Sequence, residues 1–253
     1  MTTLIRRTDH GDIRELQLDR APVNALDPAI CAQLVEAIDD AVAAGVGGIV
    51  LSGGPKVFSA GLDVPFLLTL PDRDALKAAW EQFFLAARAL VQSPVPVVAA
   101  INGHAPAGGC VLALCCDYRV MASGPYRIGL NETRVGLVAP DGIQRLMRRV
   151  VGAHRAERLL VSGEMVESQQ ALALGLVDEL TDIDGVRNRA VAWLEQLLQL
   201  PRKPVLATRA IARADVIEAL RPENIGLDRF LDAWSDPDTQ AALKALVASL
   251  GKK

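Results

Sequence analysis

The chain has 253 residues, enough for one large domain, or one domain with an appendage, and for a sizeable core. Hydrophobic residues make up 51% of it, yet no apolar run approaches bilayer length, and a net charge of −3 argues against nucleic-acid and membrane partners. The four cysteines have no zinc spacing, so we predict buried free thiols and no metal site. Because a strand pattern begins almost at once, with no targeting signal before it, we expect a cytoplasmic location.

The first part of the chain alternates strand and helix patterns. An alternating strand from Ile13 to Leu18 leads into a turn from Ala21 to Leu26. Asp27 and Pro28 then have the residue types of a helix N-cap and first turn, and apolar residues follow at helical period. Ile49 to Leu51 is a buried strand. This order favours a crossover unit in a mostly parallel sheet.

Two segments that follow predicted strands have the residue types of a ligand-binding turn. Phe58 to Asp63 contains an Ala-Gly pair that lets a ligand approach the backbone closely. An apolar run from Val95 to Ile101 ends in an Asn-Gly turn, after which Pro106 and the pair Gly108-Gly109 open a buried helix. Because the first N–H groups of a helix are unpaired, we predict an anion-stabilising turn there.

A third segment is the loop from Tyr126 to Gly136, in which Glu132 is flanked by apolar residues. A carboxyl group in apolar surroundings has its pKa raised by desolvation, which suits a group that takes and returns a proton. Taken alone, Glu132 has a simpler interpretation as a solvated loop residue. The other two segments favour the catalytic interpretation.

The remaining elements are predicted to be mainly helical. They are an amphipathic helix from Asp72 to Val91, a strand from Asp117 to Ala122, helical segments from Ile143 to Leu174 ended by Gly175, a strand at Leu176-Val177, and a helix from Arg187 to Leu200. We place a boundary between a core at 1–195 and a helical oligomerisation region at 196–253. A helical tail of this size would expose apolar faces if left alone, so we expect it to pack on a partner subunit.

The three segments together resemble the crotonase superfamily, that is, the enoyl-CoA hydratase/isomerase family, and the resemblance covers essentially the whole chain. Phe58 to Asp63 is similar to the family's first oxyanion segment, Asn102 to Cys110 to its second, and Ala171 to Glu179 to a tail segment. The resemblance implies an α/β fold, a crotonase-like spiral of ββα units with a C-terminal helical trimerisation region. It also implies a homotrimer or a dimer of trimers.

The resemblance implies an acyl-CoA substrate and no separate cofactor, since coenzyme A is part of the substrate. The N–H groups of Ala60 and Gly108 would bind the thioester oxygen, with Glu132 as the catalytic base. The substrate would lie along Val23, Ala25, Ala60, Gly61, Leu62, Asp63, Pro106, Gly108, Gly109, Val111 and Trp234.

Two carboxylate positions distinguish activities within the family. Hydratases usually have a Glu directly after the Gly-Gly-Cys, where this chain has Val111, and the second family Glu is present as Glu132. The Gly-rich stretch after that Glu is replaced by residues Val138 to Gly142. The pattern is most similar to mitochondrial-type 3,2-trans-enoyl-CoA isomerases, which work with a single Glu. We therefore predict an isomerase of fatty-acid oxidation.

Two alternatives stay open: another acyl-CoA reaction on this scaffold, such as hydration or thioester hydrolysis with Asp141, and a catalytically idle CoA-binding or assembly subunit. For Asp141, a turn-forming role in Pro-Asp-Gly is the simpler interpretation. His104 has no triad partner nearby and is interpreted as structural. Trp234 resembles an aromatic residue that closes a neighbouring subunit's acyl pocket. Gln240 stands near where hydratases often have a basic residue for the CoA phosphates.

Overall fold

The computed structural model describes residues 2–250, in which two sheets are surrounded by helices. The larger sheet has six strands, which lie side by side in this order: β1 (Ile5–His10), β2 (Ile13–Leu18), β3 (Gly48–Ser52), β5 (Val97–Ile101), β7 (Tyr118–Ala122) and β10 (Glu179–Thr181). β1 and β2 are antiparallel, and the other neighbours are parallel. The smaller sheet has four strands: β4 (Lys56–Val57), β6 (Gly103–Pro106), β8 (Arg127–Gly129) and β9 (Val166–Glu167).

Eight helices accompany these strands up to residue 198: α1 (Pro28–Ala43), α2 (Val64–Leu67), α3 (Arg73–Gln92), α4 (Gly108–Leu114), α5 (Asp141–Val151), α6 (Ala153–Ser162), α7 (Ser168–Leu174) and α8 (Val186–Leu198). Their ends follow local chemistry. The Asp27 carboxylate accepts the Ile30 N–H at 2.9 Å and caps α1, and Asp72 caps α3 in the same way. Gly175 ends α7 in the left-handed conformation, with φ of 76°. The predicted caps at Asp27 and Gly175 are confirmed, as is the parallel β2–α1–β3 crossover.

The four strands of the smaller sheet have no counterpart among the predicted elements, and two strands of the larger sheet also differ from the prediction. The last strand of the sheet is β10, and the predicted strand at Leu176-Val177 is wrong, because those two residues lie in the buried turn after α7. The Asp178 N–H then donates to the Arg119 carbonyl oxygen at 3.0 Å, and pairing with β7 begins only at Glu179. β1 has no counterpart among the predicted elements, because its mostly exposed, polar sequence lacks a buried alternation.

Both faces of the larger sheet are covered by apolar side chains. Leu16 and Leu51 belong to the main core, which contains the buried faces of α1 and α3. Val50 and Val98 pack on the opposite side with Leu194 of α8. Since successive side chains of a strand point to opposite faces, strands buried on both sides have continuous apolar sequences. All four cysteines are free and buried, as predicted.

The chain after residue 198 forms five further helices: α9 (Arg202–Ala212), α10 (Ala214–Ala219), α11 (Pro222–Ile225), α12 (Leu227–Trp234) and α13 (Pro237–Leu250). α12 packs on α3, where ion pairs join Lys77 to Asp228 at 2.9 Å and Arg73 to Asp232 at 2.8 Å. Phe230, Leu231 and Leu243 are buried within the same chain. α10 to α13 therefore bury apolar side chains against their own chain, and packing of the tail on a partner subunit stays a prediction.

α9 is different, because it contains no buried residue. The predicted boundary near residue 195 lies inside α8, and the division into two domains stays a prediction. Within residues 2–250, no helix combines the length and apolar character that crossing a membrane requires.

Candidate active site

The smaller sheet brings the three predicted segments together. β4, β6 and β8 are parallel neighbours, so the segments that follow them leave the same edge of the sheet. The first segment, with Gly61 and Leu62, follows β4, and Gly108 follows β6 after one residue, Ala107. Glu132 follows β8, at the first position of a short 3-10 turn. The Ala107 N–H also donates to the Gly129 carbonyl oxygen at 2.9 Å, which joins the second and third segments.

Close backbone contact between the first two segments requires their glycines. A Cβ atom on Gly108 would lie 2.9 Å from the Leu62 side chain and 3.1 Å from the Gly61 Cα. A Cβ atom on Gly109 would lie 2.4 Å from the Ser59 carbonyl oxygen. Ala107, just before them, has a φ of 45°, which is strained for a residue with a side chain. The start of α4 is therefore held against the first segment.

The structure corrects the predicted donor in the first segment. The Ala60 N–H donates to the Val23 carbonyl oxygen at 2.9 Å, so it is not free to bind a thioester oxygen. Leu26 pairs with the residues on either side of Leu62: its N–H donates to the Gly61 carbonyl oxygen at 2.8 Å, and its carbonyl oxygen accepts the Asp63 N–H at 3.0 Å. In such a parallel bridge the Leu62 N–H points away from Leu26. Among the described residues, neither the Leu62 N–H nor the Gly108 N–H has an acceptor. These two N–H groups are therefore the pair that can bind an oxyanion.

A buried polar network fixes the conformation of the first segment. The Asn24 side chain, in a residue with φ of 51°, donates to the Phe58 carbonyl oxygen at 3.1 Å. The Ser59 hydroxyl donates to the Asn24 carbonyl oxygen at 2.8 Å and accepts the Gly61 N–H at 3.2 Å. The Asn24 amide and the Ser59 hydroxyl are thus both paired with backbone groups of this turn.

Arg20 ties the turn before α1 to the first segment, and no sequence motif identified it. Its guanidinium group pairs with Asp63 at 2.7 Å and donates to the Ala25 carbonyl oxygen at 3.0 Å. The Asp63 carboxylate also accepts the Phe66 N–H at 3.0 Å and so caps α2. Asp63 and Ala25, both predicted to contact substrate, are therefore held in place by Arg20.

Glu132 is a buried carboxyl group with a free oxygen. Its residue is 8% exposed, and within the described chain its Oε2 atom has no hydrogen-bond partner. Burial raises the pKa of Glu132 to about 7. The Cys110 thiol lies near enough for the Glu132 charge to raise the thiol pKa further, which places Glu132 beside the start of α4. A carboxyl group with these properties can both take and return a proton near neutral pH.

The other predicted residues are placed as follows. Val111 is completely buried in α4. Trp234 is buried against Trp80 in an aromatic cluster of its own chain. His104 accepts the Arg127 N–H at 3.1 Å, in agreement with a structural role. Asp141 begins α5, is 42% exposed at its side chain and forms an ion pair with Arg229 of α12.

Fold and site define a chain of the crotonase type. A family model described as "Enoyl-CoA hydratase/isomerase" matches residues 8–232, and the chain belongs to that family. The mouse protein "Enoyl-CoA delta isomerase 1, mitochondrial" is 32% identical over 258 residues, covering 99% of this chain and 88% of that protein. The "Probable enoyl-CoA hydratase echA17" of Mycobacterium avium is 36% identical over 227 residues, covering 87% and 86%. The crystal structure of human mitochondrial delta3-delta2-enoyl-CoA isomerase matches with a TM-score of 0.92 at 29% identity, covering 99% of each chain.

Proposed function

We propose that the protein is an enoyl-CoA isomerase, which moves the double bond of a 3-enoyl-CoA into conjugation with the thioester. One observation carries the proposal: Glu132 is a buried carboxyl group with a raised pKa and a free oxygen, and its segment leaves the same sheet edge as two backbone N–H groups without an acceptor among the described residues. Such an arrangement fits a reaction that needs one base and one oxyanion site.

The chemistry uses Glu132 twice. The C2 protons of a 3-enoyl thioester are acidified by the carbonyl group and by the adjacent double bond. The Glu132 carboxylate removes one of them, and the electron pair forms a dienolate whose negative charge collects on the thioester oxygen. The N–H groups of Leu62 and Gly108 stabilise that oxygen, each by about 3 kcal/mol as in other oxyanion sites. The protonated Glu132 then returns the proton at C4, which leaves the double bond between C2 and C3.

Val111 supports isomerisation over hydration. Hydration needs a water molecule that two groups hold and direct at C3. A buried Val side chain offers no hydrogen bond to water, and it keeps the site dry, which strengthens the N–H interactions with the oxyanion. Asp141 is the other carboxylate considered for a hydratase, and it is already paired with Arg229. The hydratase name of the Mycobacterium avium relative makes hydration the second candidate.

The deciding experiment compares two rates of the wild-type protein. Conjugation of a 3-enoyl-CoA is followed by absorbance, and crotonyl-CoA hydration is followed under the same conditions, with a saturated acyl-CoA as a control for thioester hydrolysis. We expect isomerisation to be at least about 100-fold faster, because hydration lacks one acid–base group. Hydration as fast as isomerisation would show that another group holds the water. Absence of both activities would favour the idle-subunit alternative.

Assembly is also part of the proposal. A homotrimer or a dimer of trimers is supported by the family resemblance and by α9, in which no residue is buried.

A further inference from the structure

A second polar site lies at the other end of α4 from Gly108. Here a cavity of about 300 Å³ is lined by Arg119, Arg149, Arg213, Asp117, Asp178 and Cys116, among other residues. We call it the arginine cavity. It is about ten times the roughly 30 Å³ that a water molecule takes up in the liquid, so it has room for a polyatomic ion. Its residues belong to neither the Glu132 site nor the oxyanion pair.

Two of its arginines are buried with a donor left over. The side chains of Arg119 and Arg213 are only 8% and 9% exposed. Arg213 donates to the Cys115 carbonyl oxygen at 2.6 Å and pairs with Asp117 at 3.1 Å, and Arg119 pairs with Asp178 at 2.7 Å. In both side chains the Nε–H group has no partner within residues 2–250. Since unpaired buried donors are uncommon in proteins, these two guanidinium groups are incompletely satisfied by their own chain.

The charge around the cavity is unbalanced. The ion pairs there join four guanidinium groups to three carboxylates: Arg119 to Asp178, Arg149 to Asp215, and both Arg209 and Arg213 to Asp117. One positive charge is therefore not neutralised within this set. Burial lowers the pKa of Arg213 although Asp117 raises it, so desolvation of this guanidinium group is only partly compensated.

We propose that the arginine cavity binds a small oxyanion of the size and charge of inorganic phosphate. Guanidinium groups present planar forks of donors that match the oxygens of phosphate, and three of them converge on this cavity. The bound anion neutralises the excess charge and accepts hydrogen bonds from the guanidinium groups that line the cavity. Arg213 and Arg119 donate to the Cys115 and Cys116 carbonyl oxygens after α4. An anion that binds these arginines therefore also stabilises the folded chain in that region.

The test uses the full chain and inorganic phosphate. The melting temperature is measured as phosphate replaces NaCl at constant ionic strength and pH, and binding is measured by isothermal titration calorimetry. We expect a saturable rise of about 3 °C, since a ligand that binds only the folded state stabilises it by mass action. A melting temperature that depends on ionic strength alone would overturn the proposal.

Three variants locate the site. Arg149→Gln removes the most exposed of the three guanidinium groups, whose side chain is 35% exposed, and we expect at least a 10-fold weaker phosphate affinity. Arg127→Gln breaks an exposed ion pair outside the cavity, with Glu167, and should keep the wild-type affinity. Arg149→Lys, which keeps the charge but loses the fork, should lie between the two. If Arg149→Gln and Arg149→Lys bind phosphate as the wild type does, or if Arg127→Gln loses as much affinity, the assignment to this cavity is wrong. The binding readout is independent of enoyl-CoA activity.

Discussion

The Thr239 hydroxyl donates a hydrogen bond to the Gly136 carbonyl oxygen at 2.7 Å, and this bond joins the last described helix to the loop that contains Glu132. A Cβ atom on Gly136 would lie 3.1 Å from Ala242, so the two segments are in close contact. α13 also packs on α2, which follows the first oxyanion segment. Because the Glu132 Oε2 atom is buried, we expect substrate binding to displace a covering segment, and we infer that this segment is α13, which contacts the Glu132 loop.

The first prediction tests this attachment of α13. Thr239→Val removes the hydroxyl and leaves the Gly136 carbonyl oxygen unpaired, which should lower the stability of the contact by about 1–2 kcal/mol. We expect faster amide hydrogen exchange over Pro237–Leu250 and a lower KM if opening limits substrate entry. Ser249→Ala is the matched control, because Ser249 is on the same helix and donates to the local Leu246 carbonyl oxygen. Unchanged exchange in Thr239→Val would contradict the anchoring role of the hydrogen bond.

The second prediction concerns the pH dependence of the reaction. Glu132 must be ionised to remove the C2 proton, and burial raises its pKa to about 7. We therefore expect kcat/KM to increase about 10-fold for each pH unit below 7 and to level off above about pH 8. Stopped-flow or steady-state conjugation assays between pH 5 and 9 measure this profile. A profile that is already flat at pH 5.5 would mean that the base is not a desolvated carboxyl group.

The third prediction concerns two separate effects of Glu132, one on the rate of isomerisation and one on the free energy of unfolding. Glu132→Gln keeps the size of the side chain but removes the base, so isomerisation should fall by at least about 100-fold while CoA-ester binding remains.

The folded state binds a proton at Glu132 up to about pH 7, whereas the unfolded state loses it near 4.5. Stability of the wild type should therefore fall as the pH rises between these values, by on the order of 2 kcal/mol from pH 5 to pH 8.

Urea unfolding at pH 5 and pH 8 measures this effect. Glu132→Gln should lose that part of the pH dependence and become the more stable of the two proteins at pH 8. The exposed Glu157 provides a control, and Glu157→Gln should keep the wild-type dependence. Wild-type turnover in Glu132→Gln would rule out the single-base mechanism, whatever the stability of that variant.

The fold was largely predictable because its elements follow from local chemistry. Asp27, Asp72 and Gly175 mark helix ends through groups within three residues of each end, and apolar runs mark the central strands. Glu132 was identifiable once its apolar neighbours were considered together with the other two segments. The choice between Ala60 and Leu62 as the oxyanion donor was not, because it depends on the bridge between Leu26 and Leu62, which are far apart in sequence.

The sequence alone also could not predict that the tail helices pack on their own chain. An amphipathic helix shows that it has an apolar face, but not whether that face meets its own chain or a partner. The aromatic cluster of Trp80, Phe230 and Trp234 answers this for α12, since all three are buried in one chain. Arg20 and the arginine cavity likewise depend on ion pairs between distant residues.

The fourth prediction tests how the oxyanion donors are positioned. Ser59→Ala removes the hydroxyl that joins the Asn24 carbonyl oxygen to the Gly61 N–H, next to Leu62. Donors that act mainly in the transition state affect kcat more than KM, so we expect kcat to fall about 10-fold with KM nearly unchanged. Ser93→Ala is a matched control, because the buried Ser93 hydroxyl makes the same pair of backbone contacts to Val95 elsewhere in the chain.

Both serine variants should lose about 1–3 kcal/mol of stability, since each leaves buried backbone groups unpaired. Only Ser59→Ala should lose kcat. Equal kcat values in the two variants would show that the Ser59 contacts stabilise the fold without positioning Leu62.

The last prediction concerns assembly. α9 has 11 residues and none is buried, and its Ile211 is 79% exposed. Arg209 anchors α9 to Asp117 of its own chain, but a helix without a buried apolar side chain gains little stability from hydrophobic packing on that chain. We therefore expect light scattering to give a trimer or a dimer of trimers, and Ile211→Glu to shift it toward the monomer by placing a charge in an apolar contact. Val161→Glu makes the same change at a 73% exposed position of α6 and should leave the assembly intact. Since α10 to α13 pack on their own chain, the Ile211→Glu monomer should remain folded by circular dichroism, and a wild-type protein that is already a uniform monomer would rule out the role of α9.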